Sequence, residues 1–327
     1  MSSAAGVGEW LSCPYASALL PRLDGELRRA VETEDVQLRA MVAQAVSGGK
    51  RLRPALLFVA ASFGQASDRD LLQAAAALEL MHAASLYHDD VMDRAALRRH
   101  AASANLRWGN SFATLAGTFI LARATALLSG LGGVANRSAA VAAVALSTGQ
   151  LHELDHAYDA DLPQARRIDI LRRKTATLFE LPCRLGAELG GNDAARTAAL
   201  ASFGRDLGLA FQLADDALDL IGDPEQTGKA VGTDIRQGIY SIPVLRALRR
   251  RDAAARELRE LLMRLRLDDH GIARAVALVR ASGTIDEVLG VARASGRRAI
   301  GRLAPLPPGP ARHSLKALAK YAVARTH

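Results

Sequence analysis

Apolar residues recur at spacings of three and four along almost the whole chain, the periodicity of amphipathic helices. The pattern predicts helices near residues 16–46, 54–63, 70–94, 104–129, 137–160, 164–189, 194–221, 237–250, 252–267, 270–282, 284–302 and 312–325. No strand–helix–strand rhythm appears and no GxGxxG follows a strand, which excludes a doubly wound nucleotide fold. Neither a fixed-period repeat nor a low-complexity linker divides the sequence, so a single all-α domain over residues 1–327 is expected. Four breaks punctuate the helices: Ser47-Gly-Gly-Lys50, the stretch after Asp93, residues 222–238 and the proline cluster at 305–310. Glycine-rich loops that also carry charge are natural sites for phosphate chemistry.

Composition sharpens the helical reading. Aromatic residues make up only 4% of the chain, and alanine and leucine supply most of the apolar mass, a mix that disfavours sheets. Four of the eleven prolines lie within 305–310 and none lies between Pro54 and Pro163, as helices require. Cys13 and Cys183 are too few for a disulfide framework or a cysteine metal site. The first basic residue is Arg22, so no charged signal n-region is expected, and no apolar run approaches the roughly 18 residues of a membrane span. A cytoplasmic protein without a membrane span is the expectation. The net charge of +8 is concentrated in residues 246–327, where 18 Lys and Arg face 7 Asp and Glu. These cations alternate with leucine and alanine at helical spacing, which reads as a solvated face. No zinc-finger spacing, RNP aromatic set or heptad-linked basic region points to nucleic acid.

The chemistry-bearing signal lies in two carboxylate clusters. The segment from Leu71 is almost wholly apolar until it ends in His88-Asp-Asp-Val-Met-Asp93. Asp89 and Asp93 are four apart, so both project from one helix face, with His82 seven residues before Asp89 on the same face. The pattern returns in Phe211-Gln-Leu-Ala-Asp-Asp-Ala-Leu-Asp219, where Gln212, Asp215 and Asp219 share a face. Carboxylates at a helix C-terminus oppose the macrodipole at a cost of about 0.3–1 kcal/mol each, and they repel one another. A lone pair of aspartates there is ordinarily a solvated helix end, but two D-D-x-x-D clusters closing apolar helices call for cations. All-oxygen donors favour a hard ion, Mg²⁺ above all, bridging carboxylates to substrate phosphates.

The basic residues complement them. Gly48-Gly-Lys-Arg-Leu-Arg-Pro54 places Lys50, Arg51 and Arg53 at the mouth of a helix whose Pro54 suits the first turn. Arg98 and Arg99 follow Asp93, Lys174-Thr175 lies inside a helix, and Lys229 lies in the glycine-rich loop after the second cluster. Any one of these alone is a surface charge. Together they imply a phosphate-bearing substrate with two anion subsites, one bridged by metal and one held by Arg and Lys.

In that order and spacing, Gly48–Pro54, His88–Asp93 with Arg98-Arg99, Gly149-Gln150, Lys174-Thr175, Phe211–Asp219, Gly228-Lys229 and Tyr321…Arg325 resemble the motifs of the trans-isoprenyl (E-polyprenyl) diphosphate synthases. The resemblance implies a bundle of about a dozen helices around a deep apolar cavity, usually a homodimer. It implies head-to-tail condensation of isopentenyl diphosphate with an allylic diphosphate (dimethylallyl, geranyl, farnesyl or geranylgeranyl), the released pyrophosphate taking the proton. By the same resemblance Asp89 and Asp93 would bind two Mg²⁺ and Asp215 a third, Mn²⁺ substituting, with Asp90, Asp216 and Asp219 in support and Asp219 counted among the metal residues. Arg98, Lys174 and Lys229 would hold the allylic diphosphate, and Lys50, Arg53, His82 and Arg99 the isopentenyl diphosphate. Thr175 and Gln212 would line the reaction centre. A terpene cyclase on the same scaffold could lose Lys50, Arg53 and Arg99, and a non-catalytic partner subunit would typically lose an Asp cluster. This sequence keeps all of them.

Three positions depart from the family pattern. Thr118 stands where Asp is usual, Ile239 where many members have Lys, and His100 where Gly is common. Product length is read from the helix below Asp89. Ser85 and Ala84, four and five residues back, are small, so no aromatic floor stops growth at C15, and Met81 is the next candidate floor. Phe112 and Phe119 on the following helix are candidates for blocking the channel. A product of C20 or longer is expected.

Overall fold

The three-and-four spacing becomes helix almost wherever it occurs. The structure, a computed structural model, describes residues 5–95, 97–98, 101–222, 230–264 and 267–324, with backbone alone for residues 5, 6, 97 and 98. Its only strands among these are Leu97–Arg98 and Ala101–Ala102, an antiparallel two-stranded ladder in the predicted break after Asp93. The all-α expectation stands. Two compact units are built from interleaved stretches of chain. One comprises Met1–Ala142, Leu178–Gly204 and Arg302–Leu318, the other Ala143–Thr177, Arg205–Gly301 and Ala319–His327.

The first unit is organised on the 25-residue helix Asp68–Met92, whose Leu71, Leu72, Leu78 and Leu80 are almost fully buried. Each such leucine contributes about 1.5–3 kcal/mol on removal from water. Asn110–Ser129 lies along it, and Leu52–Ala61, buried from Pro54 through Ala61, packs on it as well. The predicted helix 16–46 is broken. Pro21 sits in a 3₁₀ turn at Leu20–Arg22, Leu23–Ala30 follows, and Asp35 starts a new helix, Val36–Val46, by accepting the Leu38 N–H at 2.7 Å. The predicted helix 104–129 is also broken, because Gly109 takes φ 83°, a conformation closed to ordinary helical residues.

Asn110–Ser129 corrects a second expectation. With mean hydropathy 1.5 over its best window it is long and apolar enough to cross a membrane by length and composition, yet only 33% of that window is buried. Counting unbroken apolar runs missed it because Thr114, Thr118, Arg123 and Thr125 interrupt the run without lowering the average much.

The second unit has two apolar clusters. Ala217, Leu220, Ile235, Tyr240, Val244 and Leu258 belong to one, and Leu171, Leu209, Leu213, Ile242, Val288 and Ala292 form the other. Both are built partly on residues of the helix Ala194–Ile221, which carries the second acidic cluster. That cluster is therefore anchored by the apolar residues interleaved with it.

Candidate functional site

In the first unit the helix Asp68–Met92 ends within the first acidic cluster. Asp93 is its C-cap and donates its N–H to the Asp89 carbonyl at 2.8 Å. The chain then reverses through Arg94, at φ 51°, and Ala95 donates its N–H to the Asp90 carbonyl at 2.9 Å. Asp89 and Asp93 are half-buried, while Asp90 is 2% exposed. This pattern leaves Asp89 and Asp93 as the accessible pair and turns Asp90 inward. Gly117 lets Asn110–Ser129 approach here, since a Cβ on it would lie 2.6 Å from His88 Nε2.

Beside the cluster lies a cavity of about 250 Å³ lined by His82, Tyr87 and Asp90 together with Ser47, Gly48 and Arg51. Of the predicted isopentenyl-site residues, His82 lines it. Lys50 is exposed, and Arg53 rests its guanidinium over the Phe179 ring, 5.9 Å from the centroid. The cation that reaches the cavity is Arg51, held at φ 47°. Its guanidinium donates to Glu79 at 3.0 Å, to Asp24 at 3.0 Å and to the Val46 carbonyl at 2.8 Å, so it braces the turn that carries Lys50 and Arg53. Burial, reinforced by Asp90, pushes the Tyr87 phenol up to about 12, and its hydroxyl donates to the Met41 carbonyl at 2.6 Å. Sequence reasoning missed Glu79 and Tyr87. The signal for Glu79 was a lone acid in an otherwise apolar stretch.

The chain-length candidates share this helix. Ala84 and Met81 are 1% and 5% exposed, whereas Ser85 is half-buried and donates to the His82 carbonyl at 2.9 Å. Of the two phenylalanines on the following helix, Phe112 is 45% exposed and Phe119 half-buried. Thr118 is exposed and bonds back to the Thr114 carbonyl at 3.0 Å, so it supplies no charge where an Asp is usual.

In the second unit Gln212, Asp216 and Thr175 form a chain. Thr175 Oγ1 donates to Gln212 Oε1 at 2.9 Å, and Gln212 Nε2 donates to Asp216 Oδ1 at 2.8 Å. The other Asp216 oxygen, buried, has no hydrogen-bond partner among the described residues. Burial pushes the Asp216 carboxyl up to about 7 against the pull of Arg167, with Asp234 and Asp215 adding to the rise. Asp219 is raised to about 7 as well, by burial first and then by Asp234. Its carboxylate accepts the N–H groups of Thr233 at 3.1 Å and Asp234 at 3.3 Å, so it also caps the short helix Thr233–Arg236. Asp215 is half-buried.

Lys174 lies in a five-residue π turn, Arg172–Ala176, a form of helix common at functional sites. Its ammonium donates to Glu153 at 2.5 Å, and Arg167 donates to the other oxygen of Glu153 at 2.7 Å. Arg99, His100 and Lys229 lie outside the described residues, as does the side chain of Arg98. Ile239 is half-buried, with its N–H bonded to the Asp234 carbonyl at 2.8 Å.

Among the described residues no three His, Cys, Asp or Glu side chains converge on one point as a ready-made ion cage. The donors at each cluster are carboxylate oxygens. A hard ion that keeps water and takes phosphate oxygens fits such sparse carboxylate sites, and the unpartnered buried oxygen of Asp216 is the mark of a group awaiting a proton or a cation.

Comparison with known proteins accords with this arrangement. The polyprenyl synthetase family pattern matches residues 35–279. The chain belongs to that family. Among its relatives, a nonaprenyl diphosphate synthase of Mycobacterium tuberculosis is 36% identical over 304 residues, covering 93% of this chain and 90% of that protein. Component 2 of a heptaprenyl diphosphate synthase of Geobacillus stearothermophilus is 38% identical over 236 residues, covering 72% of this chain and 74% of that protein. A polyprenyl synthase of Caulobacter crescentus, solved with calcium and isoprenyl diphosphate, superposes with a TM-score of 0.93 at 34% identity over 100% of both chains. The motif-based resemblance and the all-α isoprenoid synthase fold of this polyprenyl synthetase thus agree.

Proposed function

We propose that this polyprenyl synthetase is a prenyltransferase that condenses isopentenyl diphosphate head-to-tail with an allylic diphosphate, giving an all-trans polyprenyl diphosphate of C20 or longer. One observation carries the reading: each of two buried apolar helices in this family member ends in an intact D-D-x-x-D cluster. A non-catalytic subunit would have no need of both. Lys50 and Arg53 favour a second diphosphate substrate over a cyclase, which takes one.

Asp89, Asp93 and Asp215 are the proposed Mg²⁺ ligands, with Asp90, Asp216 and Asp219 in support. When bound, the ions supply Lewis acidity that stabilises the departing pyrophosphate. Lys174 holds the allylic diphosphate, with Arg98 and Lys229 assigned to it by resemblance. His82 and Arg53 bind isopentenyl diphosphate with Lys50 and Arg99, while Arg51 braces the turn beneath them. Thr175, bonded to Gln212, offers a fixed hydroxyl rather than a mobile nucleophile, as a reactive carbocation demands. The apolar part of the Asp68–Met92 helix is mostly alanine and leucine, a wall with few groups that could react with the cation. We assign both units to one synthase domain, since the family match runs through residues of each.

We further propose a homodimer working in the cytoplasm. Phe112 and Leu115 on Asn110–Ser129, 45% and 63% exposed, present an apolar face that water disfavours, and a second copy of the chain would cover it. Both cysteines are buried and unpaired, in keeping with a reducing compartment. The test incubates purified protein with Mg²⁺, isopentenyl diphosphate and C5, C10, C15 or C20 allylic primers. Elongation that requires isopentenyl diphosphate and stops with EDTA supports the reading. Hydrocarbon formed without isopentenyl diphosphate indicates a cyclase, and silence until another subunit is added indicates a partner; either refutes it.

A further inference from the structure

Glu153 belongs to neither acidic cluster, yet it is buried in the second unit at 7% exposure with two cations on its two oxygens. We infer that Glu153, braced by Arg167, is a positioning residue that fixes the Lys174 ammonium for the allylic diphosphate. The inference rests on the proposal that Lys174 holds that diphosphate.

Three features of the cluster support it. Lysine is a point charge on a flexible four-carbon stem, and holding it in one place costs rotamer entropy. A carboxylate bonded to Nζ at 2.5 Å bears that cost before substrate arrives. A Glu–Lys pair alone would be electrically neutral and would attract an anion poorly. Arg167, 4% exposed and 2.7 Å from the second oxygen, restores the balance: two cations and one anion leave a net single positive charge. Burial works to raise the Glu153 carboxyl, but Lys174 and Arg167 outweigh it and hold the group below its ordinary range, so it stays charged. Arg167 also feels Asp216, which ties the trio electrostatically to the second acidic cluster.

The chain's geometry places the trio deliberately. Gly149, one helical turn before Glu153, allows the backbone of Gly133–Asp155 to lie against the π turn. A Cβ at Gly149 would stand 2.8 Å from the Lys174 amide nitrogen. Glu153 therefore approaches Lys174 from a helix already pressed against the residue it positions.

A purely structural ion cluster would affect folding alone, and a kinetic cycle separates the two roles. Full-length Glu153→Gln, Lys174→Met and the double variant are assayed with the allylic diphosphate varied at saturating isopentenyl diphosphate, and the reverse. Lys174→Met should raise the allylic KM at least about tenfold, the effect of a lost charge-assisted contact. Glu153→Gln should raise the same KM by about tenfold, leave the isopentenyl diphosphate KM within about twofold, and add nothing in the Lys174→Met background. Should Glu153→Gln not fold, Glu153→Gln/Arg167→Gln removes one charge of each sign and should show the same allylic KM rise. An unchanged allylic KM in Lys174→Met refutes the underlying assignment of Lys174. If Lys174→Met behaves as expected, the inference about Glu153 fails on any of three results. These are an unchanged allylic KM in the Glu153 variants, effects that multiply in the double variant, or equal shifts for both substrates.

Discussion

Replacing Gly149 with Ala tests whether the close approach of Gly133–Asp155 to the π turn sets the position of Lys174. The new methyl would stand 2.8 Å from the Lys174 amide nitrogen and 2.9 Å from Arg173 Cβ, where ordinary contact begins at 3.4 Å. The obstacle is backbone rather than a movable side-chain tip, so the two segments must part by roughly 0.6 Å. Over-packing of this kind costs about 1–3 kcal/mol. Alanine in a helix interior returns about 0.5–1 kcal/mol relative to glycine, which would blur the result on its own. Gly290, inside the helix Thr284–Arg302 with nothing within 4 Å of its Cβ position, supplies the control. Gly290→Ala carries the propensity gain without the clash, so the difference between the two variants isolates the packing cost. At about 2–4 °C per kcal/mol for large domains, Gly149→Ala should melt at least about 2 °C below Gly290→Ala. Displacement of a substrate-holding group by 1 Å can cost about a hundredfold in rate, so 0.6 Å should lower kcat/KM for the allylic diphosphate roughly tenfold. The assay pairs thermal melts with steady-state kinetics. Melting and kinetics of Gly149→Ala indistinguishable from those of Gly290→Ala would show that Lys174 is placed by something other than this contact.

Two further outcomes are expected. Asp216 and Asp219 titrate near 7 in the folded chain against 3.8 as the ordinary value, so the folded state holds protons that the unfolded state has released. Stability should therefore fall as pH rises from about 5 through 7, and Mg²⁺ with inorganic pyrophosphate should raise the melting temperature more at pH 8 than at pH 6; a metal-free melting temperature that climbs across this window would contradict the burial argument. Ser85→Phe should shorten the product, read by chromatography of the dephosphorylated prenyl alcohols, while condensation continues. Ser85 is the better position because Ala84, at 1% exposure, would take a ring only by over-packing the core, and an unchanged product length would remove Ser85 from the channel wall.

Both acidic clusters were legible in the sequence because their meaning is local: spacing of four on a helix puts carboxylates on one face whatever lies around them. The particular roles of Lys174, Thr175 and Gln212 were legible only through the ordered set of motifs. Glu153 was not. It acts on a lysine 21 positions away, and no local pattern marks a glutamate that answers a distant cation. The bracing role of Arg51 was not legible for a related reason. In sequence it is one of three cations in a turn, and only its left-handed backbone and its bonds to Glu79, Asp24 and Val46 show that it ties that turn down. The helix breaks at Pro21 and Asp35 were hidden by apolar periodicity that continues across them, while the capping bond that starts the new helix depends on a single side chain.

The π turn at Arg172–Ala176 has a consequence for register. In an uninterrupted α-helix, position 174 would stand three residues after the buried Leu171 and so fall on the same, core-facing side. The wider turn gives that place to Ala176, which is fully buried, and leaves Lys174 at 27% side-chain exposure. One extra residue per turn thus lets a cation leave the core without ending the helix. Insertions and deletions here should matter more than substitutions. Losing one residue from this stretch would turn Ala176 by about 100° about the helix axis relative to Gln164–Leu171 and take it out of its buried place.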